Sequence, residues 1–249
     1  MRSFQFTKMQ GLGNDFVVLE GPQNLTADEV ETICDRRFGI GADGVLVVTR
    51  GDPISMEYRN ADGSAAEMCG NGLRCVAKYA YDSGWAPDRN FTIQTSIGLR
   101  GARVLEDTVE VELGRPRLDG VDRFADVDYR LVDMGNPHAV SFVGDLETTD
   151  VEGIGSQLQS EFADGANIEF AHVNGDVVEM RVWERGVGET LACGTGMAAV
   201  AAVAQETYGM GNPTTIKARG GTATVDLRDG VAWLQGPAEY SFRGSVGER

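Results

Sequence analysis

Lysine is nearly missing from this chain. Lys8, Lys78 and Lys217 are the only three among 22 basic residues, which leaves 19 arginines, and none sits in a setting that singles out an attachment point for pyridoxal. Cationic charge as a whole is short, with 22 basic against 38 acidic residues and a formal net charge of -16. The acidic side chains are scattered rather than gathered into a tail, and such a field repels phosphate backbones, so nucleic acid is excluded as a partner. A dense, hydrated carboxylate surface of this kind suits a salt-rich cytosol. Cysteine is also scarce. Cys34, Cys69, Cys75 and Cys193 share no zinc-finger spacing and are too few for a disulfide framework, so neither a metal site nor a disulfide scaffold is expected. Long apolar runs are absent too. The longest, Met197 to Ala204, is too short for a bilayer, and Met1-Arg2-Ser3-Phe4-Gln5 lacks a signal peptide's apolar stretch, so the expectation is a soluble, cytoplasmic protein with no membrane partner.

What the chain does have is enough length, 249 residues at 42% hydrophobic content, for one large domain or two small ones. Two stretches resemble each other: Met68-Cys69-Gly70-Asn71-Gly72 and Ala192-Cys193-Gly194-Thr195-Gly196 each set a cysteine before a Gly-rich turn that runs into an apolar, helical segment. Their surroundings match as well. In the first half, strands at Phe4 to Gln10 and Asp15 to Glu20 precede a helix from Thr26 to Asp35, opened by the capping box Thr26-Ala27-Asp28-Glu29. Strands follow at Val45 to Val48 and Ser55 to Asn60, then a helix from Cys69 to Asp82, then strands at Phe91 to Thr95, Leu99 to Leu105 and Thr108 to Leu113. Arg115 to Asp126, polar and with little periodicity, is where the domain boundary is expected. The second half repeats the plan: strands at Tyr129 to Met134 and Ala139 to Phe142, a helix at Val151 to Glu161, strands at Asn167 to Val173 and Val177 to Trp183, a helix ending near Gly209, and a closing hairpin on Arg228-Asp229-Gly230. Cys193 follows Cys69 by 124 residues and Asn136 follows Asn14 by 122, so several elements recur in order at one offset. The expected fold is strand-rich α/β (α+β), with two pseudo-symmetric domains, each a mixed sheet wrapped around a central helix. Domain one covers 1–116 and domain two 117–236.

The chemistry points to the two matched cysteines. A lone cysteine beside apolar residues is usually a small buried hydrophobe, and Cys34 and Cys75 fit that description. Cys69 and Cys193 stand at helix N-termini, where partial positive charge favours thiolate and backbone N–H groups can bind a carboxylate. Asn60 lies nine residues before Cys69 and Glu184 nine before Cys193, so each half carries a polar residue at a strand end upstream of its thiol. Gly186-Val187-Gly188-Glu189-Thr190 reads as a loop that carries polar groups toward a cleft.

Gly11-Leu12-Gly13-Asn14-Asp15-Phe16, Asn60-Ala61-Asp62-Gly63-Ser64, Cys69-Gly70-Asn71-Gly72, Gly135-Asn136-Pro137-His138 and the run from Glu184-Arg185 to Cys193-Gly194-Thr195-Gly196 together resemble the diaminopimelate epimerases, in order and over nearly the whole chain. The related proline racemases carry Cys-Gly-His-Gly at the first site, and Asn71 and the Glu184-Arg185 loop set this chain apart from them. The resemblance implies the diaminopimelate epimerase-like fold, a last strand near Ala238 to Arg243 within 237–249 that returns to the first domain, and a role in lysine biosynthesis. It implies inversion of one α-carbon of LL-diaminopimelate to the meso form without cofactor or metal, by a thiolate on one face and a thiol on the other, Cys69 and Cys193. An α-hydrogen is far less acidic than a thiol of pKa about 8.5, so the developing dianion would be held by the N–H groups of Gly70 and Asn71 and of Gly194 and Thr195. By the same resemblance His138 and Glu184 would lie near the thiols and the substrate amino group. Asn14, Asn60, Asn136, Asn167 and Arg185 would bind the polar ends of this small amino-acid substrate, Arg185 taking the distal carboxylate. Some members carry glutamine where this chain has Gly44. The sequence leaves a homodimer open.

Overall fold

The computed structural model describes residues 3–66, 68–124 and 126–247. In chain order these form β1 (Phe4–Gly11), β2 (Asn14–Glu20), α1 (Ala27–Cys34), β3 (Gly44–Thr49), β4 (Ile54–Asn60), α2 (Gly70–Asp82), β5 (Asn90–Thr95), β6 (Gly98–Val104) and β7 (Val109–Gly114). They continue as β8 (Arg117–Phe124), β9 (Val127–Asp133), β10 (Pro137–Phe142), α3 (Val151–Glu161), β11 (Asn167–Asn174), β12 (Val177–Glu184) and β13 (Gly188–Thr190). The last elements are α4 (Gly194–Tyr208), β14 (Thr214–Ala218), β15 (Gly221–Arg228), β16 (Val231–Gly236) and β17 (Glu239–Val246). Among the described residues, seventeen strands against four helices, with parallel and antiparallel pairs, make the strand-rich mixed-sheet class expected from the sequence. Contacts group the chain into two units, Met1–Val111 with Gly236–Arg249, and Glu112–Gln235.

In the first unit β1 pairs antiparallel with β2, α1 carries the chain across to a parallel β3, β3 and β4 form an antiparallel pair, and α2 crosses to a parallel β5. An antiparallel β5–β6 pair follows, and β17 pairs antiparallel with β1. The second unit repeats this wiring. β9 and β10 are antiparallel, α3 crosses to a parallel β11, β11 and β12 are antiparallel, α4 crosses to β14 parallel to β12, and β14, β15 and β16 close the unit as an antiparallel meander. The offset read along the chain is therefore a repeat of topology.

The two kinds of helix have different jobs. α1 and α3 bury one stripe each, Val30, Ile33 and Cys34 or Val151, Gly155 and Leu158, and cover an outer face of the sheet. α1 starts on a complete capping box: the Thr26 hydroxyl accepts from Glu29 N–H and the Glu29 carboxylate accepts from Thr26 N–H at 2.9 Å. α2 and α4 are the central helices, with every residue from Gly70 to Ala77 and from Gly194 to Ala204 buried. A helix that is apolar and small all round, such as Met197 to Ala204, has no solvent face to offer and is stable only when enclosed. α4 ends on Gly209 at φ 64°, the left-handed position that favours glycine.

Two segments depart from the sequence reading. The polar stretch Arg115 to Asp126 carries a strand that its composition did not announce, since residues 117–124 form β8, paired with β9. No β8 side chain is fully buried, so the strand is held by its backbone ladder and left no apolar alternation to read. The loop Gly186 to Thr190 is shorter than expected, since Gly188–Thr190 form β13 against the end of β12.

Candidate active site

The sharp turn Leu12-Gly13, at φ 56° and 80°, joins β1 to β2 and delivers Asn14 to the start of β2. Cys69 is the N-cap of α2 in extended conformation, and its sulfur accepts the Gly72 amide at 3.3 Å. The thiol donates to Asn14 Oδ1 at 3.5 Å, which also accepts from Asn71 Nδ2 at 3.4 Å. The amide of Asn14 in turn donates to Asp43 at 2.7 Å. Behind them lies Arg74, fully buried, donating from Nη2 to Asn71 Oδ1 at 3.0 Å and from Nε to the Pro237 carbonyl at 3.1 Å. Burial pushes the Arg74 guanidinium down to about 10, still protonated at neutral pH. Gly11 is glycine because a Cβ would meet Arg74 Nη2 at 3.1 Å and the Pro237 carbonyl at 3.3 Å. Neighbouring Asp15 is braced by Lys8 and Arg36. Burial alone would raise its carboxyl, but hydrogen bonds from Arg36 and Lys8 bring it down to about 2. Gly44 carries no side chain because a Cβ would lie 2.4 Å from the Arg59 carbonyl, so a glutamine does not fit this backbone. Asn60 closes β4 and donates to Ser64 Oγ at 3.0 Å rather than to the Cys69 cluster.

The second unit builds a related cluster with different electrostatics. Cys193 is the N-cap of α4, its sulfur accepts the Gly196 amide at 3.4 Å, and the Thr195 hydroxyl lies 3.5 Å away. Asn136, set by Gly135 at φ 95°, donates to Thr195 Oγ1 at 3.5 Å and through Oδ1 meets His138 Nε2 at 3.2 Å. The other ring nitrogen, Nδ1, is 2.6 Å from Glu169 Oε1, and both side chains are fully buried. Because Asn136 Oδ1 can only accept, Nε2 carries a hydrogen, and the Nδ1–Glu169 contact holds one further proton between ring and carboxyl. Glu184 ends β12 and accepts from the Thr190 hydroxyl. The residue as a whole is half-buried, but its carboxyl group is crowded by protein atoms, and this desolvation raises it. Desolvation likewise raises the Cys193 thiol, helped by the Glu184 and Glu169 carboxylates, so Cys193 is a thiol at neutral pH. Asn167 donates to the Pro137 carbonyl at 3.2 Å and accepts the Arg185 amide at 3.0 Å, tying β11 to the end of β12. Arg185 is exposed and reaches the Asp164 carbonyl at 3.4 Å.

Within the first unit, Cys69, Gly70, Asn71 and Asn14 thus come together, with Asn60 apart. Within the second, Cys193, Gly194, Thr195, Asn136, His138 and Glu184 come together, with Asn167 and Arg185 joined at the rim. Three residues that the sequence reading passed over belong here: Asp43, Arg74 and Glu169. Their one signal is a charge inside an otherwise buried segment, as in Asn167-Ile168-Glu169-Phe170-Ala171, whose five residues are all buried. Each cluster offers a thiol beside the first turn of a helix, whose leading N–H groups have no acceptor within the helix. That combination suits removing or delivering a proton next to a carboxylate.

Comparison with known proteins agrees with this picture. The family model described as diaminopimelate epimerase matches residues 6–118 and 130–240. The diaminopimelate epimerase of Methanocella arvoryzae is 36% identical over 273 residues, covering 99% of this chain and 98% of that protein. That of Geobacillus kaustophilus is 37% identical over 286 residues, covering 98% and 99%. Among solved structures, a Bacillus anthracis phenazine biosynthesis protein of the PhzF family is 15% identical with a TM-score of 0.78 over 99% of both chains. A hydroxyproline epimerase from Agrobacterium vitis is 18% identical with a TM-score of 0.72 over 99% of this chain and 91% of that one. At these identities the structures speak to the fold alone.

Proposed function

The chain belongs to the diaminopimelate epimerase family, and from that premise we propose that it interconverts LL- and meso-2,6-diaminopimelate, without cofactor, through Cys69 and Cys193, in lysine biosynthesis. The observation that carries this reading is that each unit caps its central helix with a cysteine whose sulfur accepts an amide hydrogen of the first turn. Inversion at carbon needs a base on one face and an acid on the other, and a pair of thiols supplies both. One sulfur takes the α-proton as a thiolate and the other returns a proton from its S–H. The substrate α-carboxylate gains negative character as the proton leaves, and the N–H groups of Gly70, Asn71, Gly194 and Thr195 stabilise it. His138 and Glu184 serve the substrate amino group and the Cys193 proton, while Asn14, Asn60, Asn136, Asn167 and Arg185 bind the remaining polar groups. The exposure of Arg185 leaves its guanidinium available to a distal carboxylate, which it can grip bidentately.

The deciding experiment incubates the protein with LL-diaminopimelate in heavy water. Deuterium enters one α-carbon, and Cys69→Ala or Cys193→Ala abolishes it. Exchange persisting in both variants overturns the two-thiol mechanism. The same reading places the enzyme in a salt-rich cytoplasm, on the strength of its net charge of -16. Equal fold and activity with and without molar salt would remove that part.

A further inference from the structure

Among the described residues, Arg74 is a buried cation with no carboxylate beside it. Its side chain is fully enclosed, its Nη1 has no hydrogen-bond partner, and among the described residues no carboxylate lies within ion-pair distance of it. An uncompensated charge in such a place is strongly unfavourable. The groups acting electrostatically on the guanidinium are Cys69 and Cys75. Burial pushes the Cys75 thiol up to about 12, so it stays neutral, and of these two cysteines Cys69 is the one able to carry the opposite charge. Charged residues on the elements packed against α2 are engaged elsewhere: Asp15 with Lys8 and Arg36, Asp43 with Asn14 and Arg36, Glu20 with Tyr79, Arg59 with the Gly63 carbonyl, and Arg100 with the Leu99 carbonyl. Glu57 on β4 and Arg103 on β6 are exposed, and Lys78 on the same helix pairs with Asp82.

The guanidinium is also the root of a polar relay. It fixes Asn71 through Oδ1, Asn71 donates to Asn14 Oδ1, and that oxygen faces the Cys69 thiol. We propose that Arg74 is a positioning residue for the first thiol: its charge balances a Cys69 thiolate, and its grip on Asn71 holds Asn14 where it receives the hydrogen of the protonated form. The second unit has no such device. At the same offset from Cys193 stands Ala198, and the ionisable groups acting on that sulfur are Glu184 and Glu169, the latter sharing a proton with His138. The two thiols are therefore unequal by construction, with the thiolate form favoured at Cys69.

This inference rests on the reading of Cys69 as a reacting group, and its first readout needs no substrate. Iodoacetamide alkylation of the full chain, mapped by peptide mass spectrometry across the neutral to alkaline range, reports each cysteine's thiolate separately. Arg74→Gln should raise the midpoint for Cys69 by about one pH unit, roughly tenfold slower labelling at neutral pH, and leave Cys193 where it was. Arg74→Lys keeps the charge but not the fork, so the Cys69 midpoint should stay near the wild-type value while solvent exchange into diaminopimelate slows. An unmoved Cys69 midpoint in folded Arg74→Gln, or one that moves together with Cys193, overturns the proposal. Should Arg74→Gln fail to fold, a raised Cys69 midpoint in folded Arg74→Lys overturns it instead, and an unmoved one with slowed exchange sustains it. Absence of exchange in the wild-type protein, with the alkylation pattern as expected, would count against the epimerase reading and not against Arg74.

Discussion

Gly72 and Gly196 occupy the same place in their units, the third helical position behind each cysteine, and both donate their amide to the sulfur. Alanine at the two positions should nevertheless have unequal effects. A Cβ at residue 196 would lie 2.7 Å from Glu169 Oε1, with Cys193 Cβ and Sγ at 3.2 and 3.4 Å. The carboxylate cannot swing away without leaving His138, to which it is held at 2.6 Å in a fully buried setting. Loosening that bond costs about 1–3 kcal/mol, against which alanine returns about 1 kcal/mol in helix propensity, a net loss of up to about 2 kcal/mol. At residue 72 the nearest atom is a Leu46 methyl at 3.1 Å, with Cys69 Cβ and Sγ at 3.5 Å. A methyl can yield a few tenths of an ångström, so Gly72→Ala should stay within about 1 kcal/mol of the parent. Urea unfolding followed by tryptophan fluorescence and circular dichroism measures both. A double-mutant cycle with Glu169→Ala isolates the clash, since the cost of Gly196→Ala should shrink once Glu169 is truncated. Equal stability of the two alanine variants, or strict additivity in the cycle, would refute the steric argument.

Acid should weaken the first unit in a defined window. The Asp15 carboxyl is lowered in the fold from 3.8 to about 2, so its contribution, roughly 2 kcal/mol, is present above the unfolded value and lost as pH falls from about 4 toward 2. The stability gap between the parent and Asp15→Asn should narrow across that window, and a gap independent of pH would contradict the ion-pair account. Glu169→Leu should cost roughly 2–4 kcal/mol by stranding a ring nitrogen of His138 in a dry site, while Glu169→Gln, which keeps a hydrogen bond there, should cost at least about 1 kcal/mol less. Equal losses in denaturant titrations would mean that the pair is not what holds the ring.

Much of this protein was legible from residue order because the relevant signals are local. The capping box at Thr26, the enclosed helix from Met197 to Ala204, the glycine ending α4 and the recurrence of Cys-Gly-x-Gly at one offset are each written in a few adjacent residues. Such patterns report backbone preference and hydrophobic period, which act over one or two turns. β8 escaped for the converse reason: it is a strand by virtue of its ladder with β9, and its polar side chains carry no trace of the pairing.

The candidate site divides the same way. Chain order alone determined that two cysteines open two helices, each with asparagines and a strand-end polar residue upstream. Only tertiary structure decided what surrounds each sulfur. Asp43 reaches Asn14 across 29 positions, and Glu169 reaches His138 across 31. Arg74 lies five residues from Cys69 in sequence, yet its meaning depends on Asn71, the Pro237 carbonyl and the absence of any carboxylate partner among the described residues. Charge on a sulfur depends on the sum of distant groups and on exclusion of water, and both quantities come into being only when the sheets close around α2 and α4.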